Sequence, residues 1–153
     1  MSEPGKAMHR DFIEFIEILN RNGVEFVIVG GIALAYHGFP RFTGDIDIWM
    51  RPSIENAKKT FHSIEEFFGT RITTAPEDFL HGHTMISLGE EPVKIEIHIT
   101  LDGVTEDEIW STKVSGKFGD EAVFYIGKES FIKNKKAVGR DQDLVDIKKL
   151  ESQ

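Results

Sequence analysis

The 153 residues and their 40% hydrophobic, 29% charged composition predict one globular domain with a sizeable core, and they are too few for two domains of ordinary size. Zero cysteines exclude disulfides and thiolate metal centres, and a formal net charge of -8 argues against coating nucleic acid, which needs a basic surface. No apolar run approaches the roughly 18 residues of a membrane span, and the N-terminus MSEPGKAMHRD has no apolar signal-peptide core, so a cytoplasmic protein without a membrane partner is expected.

Residues 8 to about 22 read as an amphipathic helix, with Phe12, Ile13, Ile16 and Leu19 on one face, closed by Asn22-Gly23. Val24 to Val29 is a buried-strand signature. Gly30-Gly31 follows at once and leads into the helix-forming run Ile32 to Tyr36. Glycines at such a turn let the backbone bend sharply and approach a ligand closely. After a polar turn, a second strand carries Asp45-Ile46-Asp47-Ile48. Alternation sends Ile46 and Ile48 to the core and sets both aspartates on the same outer surface. Two carboxylates held this way beside a glycine-opened helix suit a divalent metal and phosphate.

Arg51-Pro52-Ser53 forms a turn and a helix start, and the helix runs to Phe68, where Gly69 stops it. A strand is expected over Arg71 to Thr74, then a loop led by Pro76. His81 and His83 flank Gly82 and read as a solvated loop entering a strand at Thr84 to Leu88, not as a metal pair. Gly89 to Pro92 is a turn. Val93 to Ile99 then alternates strictly, with Lys94, Glu96 and His98 on the face away from the core. His98, two residues on from Glu96, reads first as a surface or rim histidine and second as a neighbour of the same site. Thr105 caps a helix to about Lys113, with Glu106, Asp107 and Glu108 in its first turn. Ala122 to Ile126 is expected as an edge strand. Between Lys128 and Lys149 seven basic residues stand against four acidic ones, with Gly139 separating two helices. Leu144, Ile147 and Leu150 are apolar positions of the second.

The glycine pair, thirteen intervening residues and the acid-apolar-acid-apolar strand resemble the first motif of DNA polymerase beta-type nucleotidyltransferases. The fuller stretch GGIALAYHGFPRFTGDIDIW is similar to a small prokaryotic branch that includes abortive-infection (AbiEii-like) toxin nucleotidyltransferases. Its Arg-x-Thr turn is matched by Arg41 and Thr43. Gly31 stands where many superfamily members have serine, so a hydroxyl contact to phosphate is missing. The resemblance implies that Asp45, Asp47 and Glu96 are the catalytic, metal-holding acids. It also implies that Gly30, Gly31, Arg41 and Thr43 serve nucleotide phosphates. Lys135, Arg140, Asp143 and Asp146 match a recurring lysine, arginine, D-x-x-D pattern on the closing helix. Lys135 and Arg140 are accordingly phosphate-contact candidates, against the plainer reading of a helical cap held by an Arg140–Asp143 pair.

The same resemblance implies an α/β (α+β) nucleotidyltransferase fold: a mixed twisted sheet, helices mainly on one face, and C-terminal helices. The core is placed at about 8–127 and the extension at 128–153. It implies two Mg2+ or Mn2+ ions, a nucleoside triphosphate (NTP) substrate, and transfer of a nucleoside monophosphate (NMP) to an acceptor hydroxyl on RNA, protein or a small molecule. Other readings are a nucleotide-binding module without transfer, or a toxin- or antitoxin-type subunit acting with a partner protein. A paired-aspartate phosphohydrolase gives the spacing from Gly30-Gly31 to the aspartates no role.

Overall fold

A computed structural model describes residues 4–39, 44–82, 84–90 and 93–152, with side chains from Arg10 onward. In chain order the elements are α1 (Pro4–Arg21), β1 (Phe26–Val29), α2 (Gly30–Tyr36), β2 (Asp45–Met50), α3 (Ile54–Phe68) and α4 (Pro76–Gly82). They continue with β3 (Met85–Leu88), β4 (Lys94–His98), α5 (Glu106–Thr112), β5 (Val114–Phe118), β6 (Glu121–Tyr125), α6 (Lys128–Val138) and α7 (Asp141–Glu151). The strands form one mixed sheet in the order β3-β4-β2-β1-β6-β5.

The sheet's centre follows from two kinds of strand. β1 is apolar throughout and buried throughout, as a strand covered on both faces must be. β2 and β4 alternate, burying Ile46, Ile48, Ile95 and Ile97 completely while Asp45, Asp47, Lys94, Glu96 and His98 stay half-buried on the other side. β1 runs antiparallel to β2, with Val29 opposite Asp47. β2 and β4 run parallel, and the register sets Asp47 opposite Glu96. Parallel neighbours need a crossover, here supplied by α3, α4 and β3.

The helices α1 and α3 pack on each other against the apolar side of the sheet. Phe15 of α1 meets Phe67 of α3 edge to face at 5.3 Å, and Phe61 of α3 meets Phe79 of α4 at 5.1 Å. Ser53 caps α3 through the Asn56 N–H, and Gly69 closes it in the left-handed conformation at φ 71°. Buried Asn56 also brackets the sheet: its amide donates to the Glu25 and Arg51 carbonyls and accepts from the Glu25 N–H, all at 2.8 Å. On the other side lie α6 and α7, the C-terminal pair expected from Gly139, which is left-handed at φ 71°.

Four expectations change. Arg71 to Thr74 is irregular rather than a strand: Arg71, Thr73 and Thr74 are exposed, and β3 occupies that edge of the sheet. Pro76 opens a helix rather than leading a loop. Its fixed φ suits a first helical position, Glu77 and Asp78 favour the first turn, and Phe79 is the buried anchor. β6 is internal, because an additional strand, β5, forms the edge. β5 was hidden by its central Gly116, which is required where Tyr36 and Tyr125 stack at 4.0 Å. A Cβ there would lie 2.8 Å and 2.9 Å from those rings. Finally, α7 turns Asp143, Asp146, Ile147 and Leu150 inward and leaves Leu144 exposed.

Candidate active site

Gly30, Gly31, Asp45, Asp47, Glu96, Lys135 and Arg140 line one cleft of about 650 Å3. Arg41 and Thr43 lie outside the described residues, as do His83 and the Glu91–Pro92 part of the expected turn. His81 sits exposed in the last turn of α4. A second, mostly apolar cavity of about 410 Å3 opens beside Trp110 and Phe124, with Phe26 of β1, Gly116 of β5 and Val123 of β6 in its lining, but none of the sheet acids lines it. The candidate acids lie in the first.

The floor of the cleft is the β2–β4 pair. Asp47 and Glu96 face each other across the parallel ladder, and this crowding has an electrostatic signature. Burial, then the hydrogen bond and charge of Asp47, push the Glu96 carboxyl above its usual range, against the pull of Lys94, whose ammonium is 3.2 Å away. Asp47 is also hydrogen-bonded to His98, Nε2 to Oδ1 at 3.0 Å. One donor atom each from Asp47, Glu96 and His98 fall within 4.8 Å of one another. Two carboxylates and an imidazole at this separation fit a divalent cation. Asp45 lines the same cleft one step along β2, outside that trio.

Gly30 fixes the wall above Asp47. It is left-handed at φ 68°, and a Cβ there would lie 2.6 Å from Asp47 Oδ2 and 2.9 Å from Asp47 Cβ. Gly30→Ala is therefore expected to destabilise the fold by about 1–2 kcal/mol from backbone strain alone. It should also displace the Asp47 carboxylate. A lowered urea midpoint together with a proportionally larger loss of divalent-cation affinity would show both effects.

The opposite wall is α6 and α7. Lys135 is buried, its ammonium 2.9 Å from Asp146 Oδ2 and 3.4 Å from Asp143 Oδ1. Arg140 closes the network from outside: its Nε is 2.7 Å from Asp143 Oδ2, and its main-chain N–H donates to the same oxygen at 3.1 Å. The Arg140–Asp143 cap thus forms as one sequence reading expected. It is more extensive than a surface pair, because Lys135 supplies a second, buried cation. Lys135 sits at the cleft wall with its charge already balanced. Arg140, with a mostly exposed side chain, presents its charge to the opening.

Burial opposes the charge of Asp143, but the hydrogen bonds from Arg140 and the charges of Lys135 and Arg140 outweigh it, holding the carboxyl below its ordinary 3.8. A depressed folded pKa stabilises the protein above the unfolded value, and that contribution is lost as pH falls through the folded value. The urea midpoint is expected to drop from about pH 5 downward through this window, with the drop blunted in Asp143→Asn.

The family model described as "Nucleotidyl transferase of unknown function (DUF2204)" matches residues 8–153. The chain belongs to this nucleotidyltransferase family. No protein of curated function shows significant sequence similarity to it. Among solved structures, it resembles TM1012 of Thermotoga maritima, which carries a provisional nucleotidyltransferase assignment. The TM-score is 0.60 at 18% identity, covering 99% of this chain and 96% of that one. It also resembles the lincosamide antibiotic adenylyltransferase LnuA bound to lincomycin, with a TM-score of 0.58 at 15% identity over 94% of this chain and 96% of that one. A third neighbour is an antigenic nucleotidyltransferase-like protein of Paracoccidioides brasiliensis, with a TM-score of 0.56 at 13% identity over 95% and 74% of the two chains. At these identities the likeness is one of fold, and the fold is the nucleotidyltransferase one. Among the described residues no helix is long and apolar enough to cross a membrane.

His98 lines the cleft and is hydrogen-bonded to Asp47, the second of the two positions its sequence allows. The alternation of β4 already placed it beside Glu96, but a lone histidine on a polar face carries no signal for a partner on another strand.

Proposed function

We propose that this DUF2204 member transfers an NMP from an NTP to an acceptor hydroxyl, using Asp45, Asp47 and Glu96 as its catalytic acids. The observation that carries this reading is the meeting of Asp47 and Glu96 across the β2–β4 ladder, beneath Gly30 and in the cleft that Asp45 shares. In the reaction the acceptor oxygen bonds to the α-phosphorus, the bond to the bridging oxygen breaks, and pyrophosphate leaves. Asp45, Asp47 and Glu96 would hold a divalent cation, Mg2+ or Mn2+, which would supply positive charge against the charge building on the attacking and leaving oxygens.

The chain's own residues do the rest. Glu96, on the acceptor side of the cleft, takes the acceptor proton. Gly30 and Gly31 leave the main chain bare where the triphosphate lies, which lets it approach closely. Arg140 reaches the departing phosphates from the opening, while Lys135 holds α6 and α7 in place. Arg41 and Thr43 belong to the same phosphate-binding set by resemblance.

LnuA's bound lincomycin makes small hydroxylated molecules the first acceptors to screen. The toxin-type branch, suggested by the Arg41-x-Thr43 sequence motif and the closing helix, makes RNA and protein hydroxyls the next. Incubation with labelled NTPs, divalent cation and these acceptors tests the reading through pyrophosphate release and a matching mass gain on the acceptor. Tight NTP binding with no pyrophosphate from any acceptor would select a silent binding module instead.

A further inference from the structure

We propose that His98 is a cation ligand beside Asp47 and Glu96, making this a mixed carboxylate–imidazole centre that favours Mn2+ over Mg2+. The inference rests on the metal dependence of the transferase reading and adds a ligand of a different chemical kind.

Three features of the fold bring the imidazole to the carboxylates. Alternation along β4 sends Glu96 and His98 to the same face. The parallel register with β2 sets them opposite Asp47 and Trp49, so the His98 ring leans over one step to reach Asp47 Oδ1 at 3.0 Å. All three side chains are mostly shielded, with 16% to 21% of each exposed, so their mutual geometry is held by packing.

The donor atoms lie within 4.8 Å of one another. Ligands at about 2.1 Å from one ion stand at most about 4.2 Å apart, so a few tenths of an ångström of side-chain movement closes the set. A neutral imidazole adds a donor without adding negative charge to an already crowded pair of acids. It also changes which ion is preferred. Mg2+ takes oxygen ligands and keeps its waters, whereas imidazole nitrogen suits transition-metal ions.

The test uses the whole chain and Mn2+ alone, with no nucleotide. Titration followed by the free Mn2+ signal in electron paramagnetic resonance, with Mg2+ as competitor, gives the two affinities. Pulsed resonance then reports whether a nitrogen is bonded to the metal. The expected result is a directly bound nitrogen that changes isotope when histidine is 15N-labelled, with Mn2+ at least about tenfold tighter than Mg2+. His98→Gln should lose the nitrogen signal and about tenfold or more of the Mn2+ affinity while keeping its Mg2+ affinity. Mn2+ bound without a histidine nitrogen, or no Mn2+ bound at all, overturns the proposal. The labelled wild-type protein decides this even if the variant folds poorly. Nitrogen coupling with no pyrophosphate release would keep the metal site and remove the transferase reading. Transfer with no nitrogen coupling would do the reverse.

Discussion

Asp47→Asn is expected to reduce NMP transfer by on the order of a thousandfold or more while the protein stays folded. Amide for carboxylate is nearly isosteric, so the packing under Gly30 survives. What disappears is negative charge at the point where Asp47 meets both Glu96 and His98. Electrostatic contributions that act on charge developing in the transition state are typically worth a hundred- to a thousandfold each in kcat. In the proposed mechanism Asp47 also holds the cation, so the larger figure is expected. Losing one of two crowded carboxylates also relieves the repulsion felt by Glu96, and the thermal midpoint should hold or rise slightly. Activity collapsing together with the melting transition would point to a structural role. Wild-type-like pyrophosphate release from folded Asp47→Asn would remove Asp47 from the mechanism.

The second large effect is on stability. Lys135→Met should destabilise the protein by roughly 3 kcal/mol or more, because removing one partner of a buried ion network leaves charge uncompensated. Asp146, fully buried, would keep the Gln142 amide at 2.9 Å but lose the ammonium at the same distance, while Asp143 would keep Arg140. Lys135→Met combined with Asp146→Leu should recover most of the loss, since replacing a buried pair by apolar groups is often close to neutral. Urea midpoints of the single and double variants test this. A Lys135→Met protein of unchanged stability but weakened NTP binding would instead make Lys135 a phosphate ligand.

These two residues mark what a sequence can and cannot disclose. The D-I-D-I and K-I-E-I-H runs announce their geometry, because a period of two fixes which side chains share a face. The family resemblance then says which two strands lie side by side, but not the register that sets Asp47 rather than Asp45 opposite Glu96. Lys135 is different. Helical periodicity assigns a lysine to solvent, and nothing local in KNKKAVGRDQDLVD shows that two aspartates of the next helix turn inward to meet it. β5 failed for a related reason: Gly116 weakens the strand pattern locally, and only the stacked Tyr36 and Tyr125 rings explain it. Pro76 suggests the lead of a loop, but the same residue starts helices as well as ending them, and buried Phe79 decides for the helix.

The parallel pairing of β2 with β4 also bears on how the protein becomes competent. Asp47 and His98 are 51 positions apart in sequence, and no hairpin can bring them together. Contacts of such long separation form late, after the intervening helices have paid the entropic cost of loop closure. A nascent or partly unfolded chain therefore carries every acid of the cleft without possessing the cleft. Competence should return during refolding only with the slowest, global phase.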